Sequence, residues 1–292
     1  MERSLLARCA MSEVTTYDWS FDQDVRGYAE AGFGAIGVWQ NKLTEGPFVY
    51  STIPLAPIPA TRLEAAIHAV RDAGLGVSSL VCGGDYTQPD PVLLERRIAH
   101  GRFAIDAVRR FEASCLVVIP GSLYGRTREE AMERCSRTLR LLSEVASEAG
   151  VRLAVEPLHP RDTDFVNTLG DAVEMIERVD HQACGVFVDT WQLWETPDLF
   201  EEIRRAAGRI HGLHVADSPS IVRSNEDRVV PGEGVIPLVE IVGAVLDAGY
   251  DGWIDVELMS RELWALDYHD VLARCATGIT AVLRAVEARR AG

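Results

Sequence analysis

Residues 151–160, VRLAVEPLHP, place a carboxylate at the end of a run that otherwise reads as core. Val151, Leu153, Ala154 and Val155 have the unbroken apolar character of a strand buried on both faces, and Glu156 and Pro157 end it. The pattern recurs. CGVFVDT (184–190) closes on Asp189, DGWIDVEL (251–258) carries Glu257, and RIHGLHVAD (209–217) puts His214 in a similar place. Taken singly, each polar residue reads equally well as a helix cap or a surface charge. Four at corresponding points of four strands pose a different question, which is whether they meet.

Working outward, eight runs qualify as strands: LLARCAM, GAIGVWQ, GVSSLVC, SCLVVIP, RLAVEP, CGVFVDT, IHGLHVAD and GWIDVEL. Segments with helical spacing of apolar residues lie between them. The clearest joins Leu238, Ile241, Val242, Val245 and Leu246, opened by Pro237 and closed near Gly249. A second follows the last strand, through Leu272, Cys275, Ile279, Val282, Leu283 and Val286. AEAGFGAIGVW, RDAGLGVSSLV, SEAGVRLAVE and LDAGYDGWIDVE all repeat one grammar, with AG as the connection from helix to strand. Eight apolar strands, each followed by a helix, predict a parallel sheet closed into a (β/α)₈ TIM barrel, one domain over residues 1–292. No GxGxxG opens a helix, so nothing marks a dinucleotide site. The one long irregular insertion, 41–61, follows strand two on the face where barrel loops build a site.

Composition excludes several function classes. A net charge of −15 leaves no basic stripe for nucleic acid or for an anionic membrane surface. No apolar run reaches membrane-spanning length, and Arg8 breaks the N-terminal one, so a cytoplasmic protein is expected. The six cysteines, Cys9, Cys82, Cys115, Cys135, Cys184 and Cys275, show no metal-type spacing and read as small reduced hydrophobes.

In a barrel the C-terminal strand ends share one rim. Glu156, Asp189, His214 and Glu257 then stand at the ends of strands five to eight, and three carboxylates so close repel unless a cation or protons neutralise them. Three oxygen donors and one nitrogen suit one divalent cation, Mn²⁺ first, with Mg²⁺, Co²⁺ or Zn²⁺ as alternatives.

At these residues the chain resembles a known family. LAVEPLHP, GVFVDTWQLW, HGLHVADSP, VVPGEGVIPL and GYDGWIDVELMS are similar, in order, to the sugar phosphate isomerase/epimerase family, the xylose isomerase-like TIM barrels. The likeness spans about residues 15–285 and is densest from 150 onward. It implies that Glu156, Asp189, His214 and Glu257 bind the metal, and that Glu156 and Glu257 also act as acid and base on either side of the substrate. PGEG (231–234) matches the family's turn before helix seven. One position departs: many relatives carry a histidine three residues after the strand-six aspartate, where this chain has Gln192. Glutamine can bond a hydroxyl but does not exchange protons near neutral pH. His159 offers an imidazole instead.

The expected activity is metal-dependent isomerisation or epimerisation of a sugar or sugar-like ketose, by proton abstraction beside a carbonyl through a metal-stabilised enediolate. Two alternatives share the ligand set. One is a lyase or dehydratase that expels a β-leaving group. The other is a metal-retaining subunit of a two-component enzyme with a small partner. The family's endonuclease-type branch needs more ligands and a basic face, which this chain lacks. Trp39, Trp191, Gln192, Asp217 and Arg228 are the expected substrate contacts, and Tyr86 and Trp194 are further candidates for a sugar-stacking wall. Lys42, Arg223 and Arg228 are weak candidates for an anionic group of the substrate, with solvated surface charge as the alternative for each. The expected partner is a small carbohydrate, and the barrel is expected to form a homo-oligomer.

Overall fold

Apolar strands without polar alternation are stable only when covered on both faces, and a ring of parallel strands sheathed by helices meets that need. The computed structural model, which describes residues 5–44, 48 and 55–291, has this form. The strands are β1 (Cys9–Ser12), β2 (Ala35–Trp39), β3 (Gly76–Gly84), β4 (Leu116–Ile119), β5 (Leu153–Val155), β6 (Cys184–Asp189), β7 (Ile210–Val215) and β8 (Ile254–Val256). They pair in parallel in chain order, and β8 closes on β1 through Cys9–Ile254, Ala10–Asp255 and Met11–Val256.

All eight expected strands form. The first differs at its start: Leu5 and Leu6 lie in a helical turn, and the strand begins at Cys9, where pairing with both neighbours begins. The AG connections owe their form to the second residue. Gly32, Gly74, Gly150 and Gly249 all have φ between 69° and 91°, the left-handed conformation that lets the chain leave a helix and turn back to the sheet. Pro237 stands at the N-cap of the helix Leu238–Asp247, just ahead of its first turn. The apolar face read for the last helix, Tyr268–Ala291, is buried throughout.

Two layers of core follow. The larger lies between strands and helices. The smaller fills the barrel with Val14, Trp39, Val81, Cys115, Val117, Ala154 and Phe187, and Tyr17, Phe48, Met259 and Trp264 pack over it. Of the 41–61 insertion, Gln40–Leu43 forms a 3₁₀ turn, Phe48 sits against Tyr17 and Trp39, and residues 45–47 and 49–54 lie outside the described residues. Cys9, Cys115, Cys135, Cys184 and Cys275 are buried and unpaired, as expected. No helix among the described residues is long and apolar enough to cross a membrane.

The barrel interior makes a sharp demand at β7. A Cβ on Gly212 would stand 2.1 Å from the Phe187 ring, whereas one on Gly243, inside the helix Leu238–Asp247, meets nothing nearer than Val286 at 3.9 Å. Gly212→Ala is therefore expected to destabilise by about 1–3 kcal/mol through overpacking. Gly243→Ala is expected to stabilise by about 0.5–1 kcal/mol by removing backbone entropy from the unfolded chain. Denaturant melts of the two variants check this, and equal or reversed effects contradict the packing described.

Candidate metal centre

Strand register decides which side chains meet. Asp189 on β6 pairs with His214 on β7, and His214 pairs with Asp255 on β8. In-register neighbours of a parallel sheet point the same way, as do residues two apart on one strand, so Asp189, His214, Asp255 and Glu257 all face the interior. Glu156, one residue beyond β5, follows inward-facing Ala154, and its amide donates to Val118 O at 3.0 Å. Ligand atoms of Glu156, Asp189, His214 and Glu257 lie within 4.8 Å of one another, and all four residues are buried. The four residues read from the strand ends do meet.

Each is held differently. Asp189 caps the short helix Thr190–Leu193, its Oδ1 accepting from the amides of Trp191 (2.8 Å) and Gln192 (3.4 Å), while Oδ2 faces the cluster. Glu257 Oε1 accepts from the Ser12 hydroxyl at 3.1 Å, and Ser12 Oγ in turn accepts from Trp39 Nε1 at 2.9 Å. Arg228, only 1% exposed, extends Nη1 between Asp189 Oδ2 (3.1 Å) and Glu257 Oε2 (3.0 Å), with its guanidinium 5.0 Å from the Trp191 ring. His214 is wedged against Phe187 at 4.3 Å between ring centres. Its Nδ1 is 3.3 Å from Glu257 Oε2 and 3.6 Å from Glu156 Oε1, yet neither ring nitrogen has an aligned hydrogen-bond partner.

That unmatched imidazole tests the fit of a cation. A buried donor or acceptor left unpaired costs about 1–3 kcal/mol, and here Nδ1 stands beside two carboxylates without the alignment a hydrogen bond needs. Four buried carboxylates, with Asp255 included, face one guanidinium and one imidazole. The donor set is hard oxygen with one nitrogen, and its charge deficit is of the sign a divalent cation corrects.

The electrostatics divide the two glutamates. Burial pushes Glu156 up to about 7, although His214 opposes the rise. Burial acts on Glu257 in the same sense, but His214, Arg228 and the Ser12 hydroxyl outweigh it and hold Glu257 down at about 2. Burial lowers His214, but Glu257, Glu156 and Asp255 outweigh it and keep its pKa well above the ordinary imidazole value. Burial raises Asp255 to about 7, with His214 and the Ser78 hydroxyl pulling the other way.

The expected substrate contacts separate into groups. Trp39, Trp191 and Arg228 adjoin the cluster. The Trp191 indole N–H is buried with no hydrogen-bond partner. Gln192 is committed to the backbone, its Oε1 accepting from the His159 amide at 2.7 Å. His159 lies at the edge of the mouth, Nδ1 accepting from the Arg161 amide at 3.1 Å and Nε2 3.8 Å from Glu195. Burial lowers its pKa. Asp217 organises a loop: its carboxylate accepts from the amides of Ser218, Gly232, Gly234 and Ile236 at 2.9–3.0 Å, which leaves it little to offer a substrate. That is also the role of PGEG, since a Cβ on Gly234 would stand 2.4 Å from Asp217 Oδ1. Tyr86 is fully buried, and Trp194 lines a surface groove with Leu199 and Phe200.

Lys42 is neither a substrate contact nor a solvated charge. It is buried in an ion pair with Asp24 at 2.7 Å and donates to Thr16 O at 2.9 Å. Arg223 is exposed and paired with Asp227 and Glu262. Ser12 and Asp255 escaped the sequence reading. Asp255 had a usable signal, because it lies two residues before Glu257 and so on the same strand face.

Comparison with known proteins places this geometry in context. The model of the family described as xylose isomerase-like TIM barrel matches residues 25–275. An inosose isomerase of Halalkalibacterium halodurans is 31% identical over 150 residues, 50% of this chain and 52% of that one, so the match spans about half of that relative's length. A D-psicose 3-epimerase of Ruminiclostridium cellulolyticum is 27% identical over 261 residues, covering 84% of this chain and 80% of its own. Among solved structures, the IOLI protein with a bound zinc atom superposes with a TM-score of 0.81 at 20% identity, over 94% of this chain and 97% of that one, a likeness of fold.

If the four residues form one metal site, wild-type protein purified without chelators is expected to carry about one equivalent of divalent metal, and Asp189→Ala far less. Elemental analysis of both checks this. Equal metal in the two proteins contradicts the assignment.

Proposed function

The chain belongs to the xylose isomerase-like TIM barrel family, and from that premise we propose that it is a divalent-metal-dependent isomerase or epimerase of a sugar or sugar-like ketose. One observation carries the reading: the buried convergence of Glu156, Asp189, His214 and Glu257 at the rim of four adjacent strands. The names inosose isomerase and D-psicose 3-epimerase point the same way. Mn²⁺ is the ion we propose, on the strength of three carboxylate donors and one imidazole. Once bound, such an ion polarises a carbonyl and acidifies the neighbouring C–H.

The chain's own residues supply the rest. Glu156 and Glu257 stand on β5 and β8, with β6 and β7 between them, so a flat substrate in the mouth has one carboxylate toward each face. One takes the proton and the other returns it, to the opposite face in an epimerisation or the neighbouring carbon in an isomerisation. Ser12 and Arg228 keep Glu257 oriented and ionised. The Trp191 indole N–H and Arg228 Nε, both buried without hydrogen-bond partners, are donors for substrate oxygens. Gln192 secures the His159 backbone, so His159 can stand at the mouth edge as an additional proton carrier. Five of the six cysteines are buried and unpaired among the described residues, which suits a reducing compartment, and we propose a cytoplasmic location.

Glu156→Gln and Glu257→Gln keep an oxygen donor but remove the base. Each is expected to lower solvent-deuterium exchange at the substrate C–H by about 10²–10⁴-fold while metal is retained. NMR of ketoses and inososes in D₂O with added Mn²⁺ reads this directly. Elimination is the second reading, since Gln192 stands where many epimerase relatives carry a histidine and does not exchange protons near neutral pH. Under it, only one of the two substitutions suppresses exchange and the product lacks its β-substituent. Full exchange in both variants with metal still bound contradicts the two-carboxylate scheme.

A further inference from the structure

Asp255 is a buried acidic residue of the barrel strands with no part in the site as described. It is 1% exposed, and its Oδ1 has no hydrogen-bond partner. Oδ2 accepts from the Ser78 hydroxyl at 2.5 Å and lies 3.8 Å from His214 Nε2. β2, the next strand but one around the barrel, makes room for it, because a Cβ on Gly37 would stand 2.4 Å from that same oxygen. An ionisable group with an unmatched oxygen in a dry core costs stability, and a small apolar residue would fit the space without that cost. The cost calls for an explanation outside folding.

The two edges of the His214 ring supply one. Nδ1 faces Glu156 and Glu257, and Nε2 faces Asp255, its in-register neighbour on β8. Phe187 against the ring restricts its tilt. We propose that Asp255 is a positioning residue for the metal centre: its carboxylate accepts the Nε2 proton of His214 and holds the neutral imidazole with Nδ1 bare and turned to the other three ligands. The 3.8 Å separation is longer than a hydrogen bond, which needs about 3.2 Å or less between heavy atoms. The carboxylate and the ring must therefore draw together by about 0.6 Å when the metal binds. A ligating histidine that donates its second N–H to a carboxylate has a fixed tautomer and greater basicity, and removing the partner typically weakens metal binding about 10–100-fold. Ser78 holds Asp255 in place, so the chain Ser78–Asp255–His214 orders the site from beneath, as Trp39–Ser12–Glu257 orders it from the side.

This inference rests on the metal reading above, and two measurements separate their fates. In wild-type protein loaded with Zn²⁺ and labelled with ¹⁵N-histidine, the His214 ring is expected to carry its proton on Nε2 and its metal on Nδ1, with resonances assigned by their loss in His214→Asn. Metal on Nε2 overturns the proposal whether or not any variant folds. In Asp255→Asn, which preserves shape and can still accept from Ser78, the Zn²⁺ dissociation constant is expected to rise about 10–100-fold while the melting temperature of the metal-free protein does not fall. Wild-type binding matched by Asp255→Asn overturns the inference alone. Wild-type protein that takes up no Zn²⁺ overturns the metal reading and this inference with it.

Discussion

Glu156, Asp189, Asp255 and Glu257 bring four carboxylates into the buried centre of one barrel, where, among the described residues, Arg228 and His214 are the positively charged or chargeable groups beside them. Like charges at this separation in a medium of low polarity repel strongly, and burial alone raises the cost of each ionised form. Much of the surrounding structure is intelligible as a response. Arg228 bridges two of the carboxylates, Ser12 and Ser78 each donate to one, and the helix that starts after Asp189 offers it two amides. These contacts lessen the repulsion without cancelling it. The residual charge deficit is of the sign that the proposed divalent cation would offset, and the imidazole of His214 is left without an aligned partner beside it.

The barrel's contribution is positional precision. Parallel register puts Asp189, His214 and Asp255 side by side, and the two-residue repeat of a strand puts Glu257 one layer above Asp255. None of these placements relies on a long flexible loop. The outer groups, by contrast, sit on loops that are themselves tied down: Asp217 gathers four amides around PGEG, and Gln192 holds the segment that carries His159. Rigid strands thus carry the four clustered residues, and bonded loops carry the groups around them, the division expected of a fold whose chemistry varies by loop.

The fold was legible because its signals are local. Apolar strands, the AG exits and the helical faces can be read within about a dozen residues, and the positive φ at Gly32, Gly74, Gly150 and Gly249 shows that the AG grammar had a backbone cause. The convergence of Glu156, Asp189, His214 and Glu257 was legible because a closed barrel turns sequence position, at the end of a strand, into a place on one rim. What stayed hidden depends on partners distant in the chain. Nothing near Lys42 announces that Asp24 will bury it, and nothing near Asp217 says that the amides of a turn fifteen residues later will occupy its carboxylate. Asp255 is the intermediate case. Its strand face could be read from its spacing to Glu257, but its neighbours Ser78 and His214 come from two other strands.

Anomalous diffraction from a crystal loaded with Mn²⁺ tests the central claim most directly. The account predicts one strong peak in the barrel mouth, within bonding distance of carboxylate oxygens from Glu156, Asp189 and Glu257 and of His214 Nδ1. No peak there, or a peak whose ligands exclude His214, would contradict it.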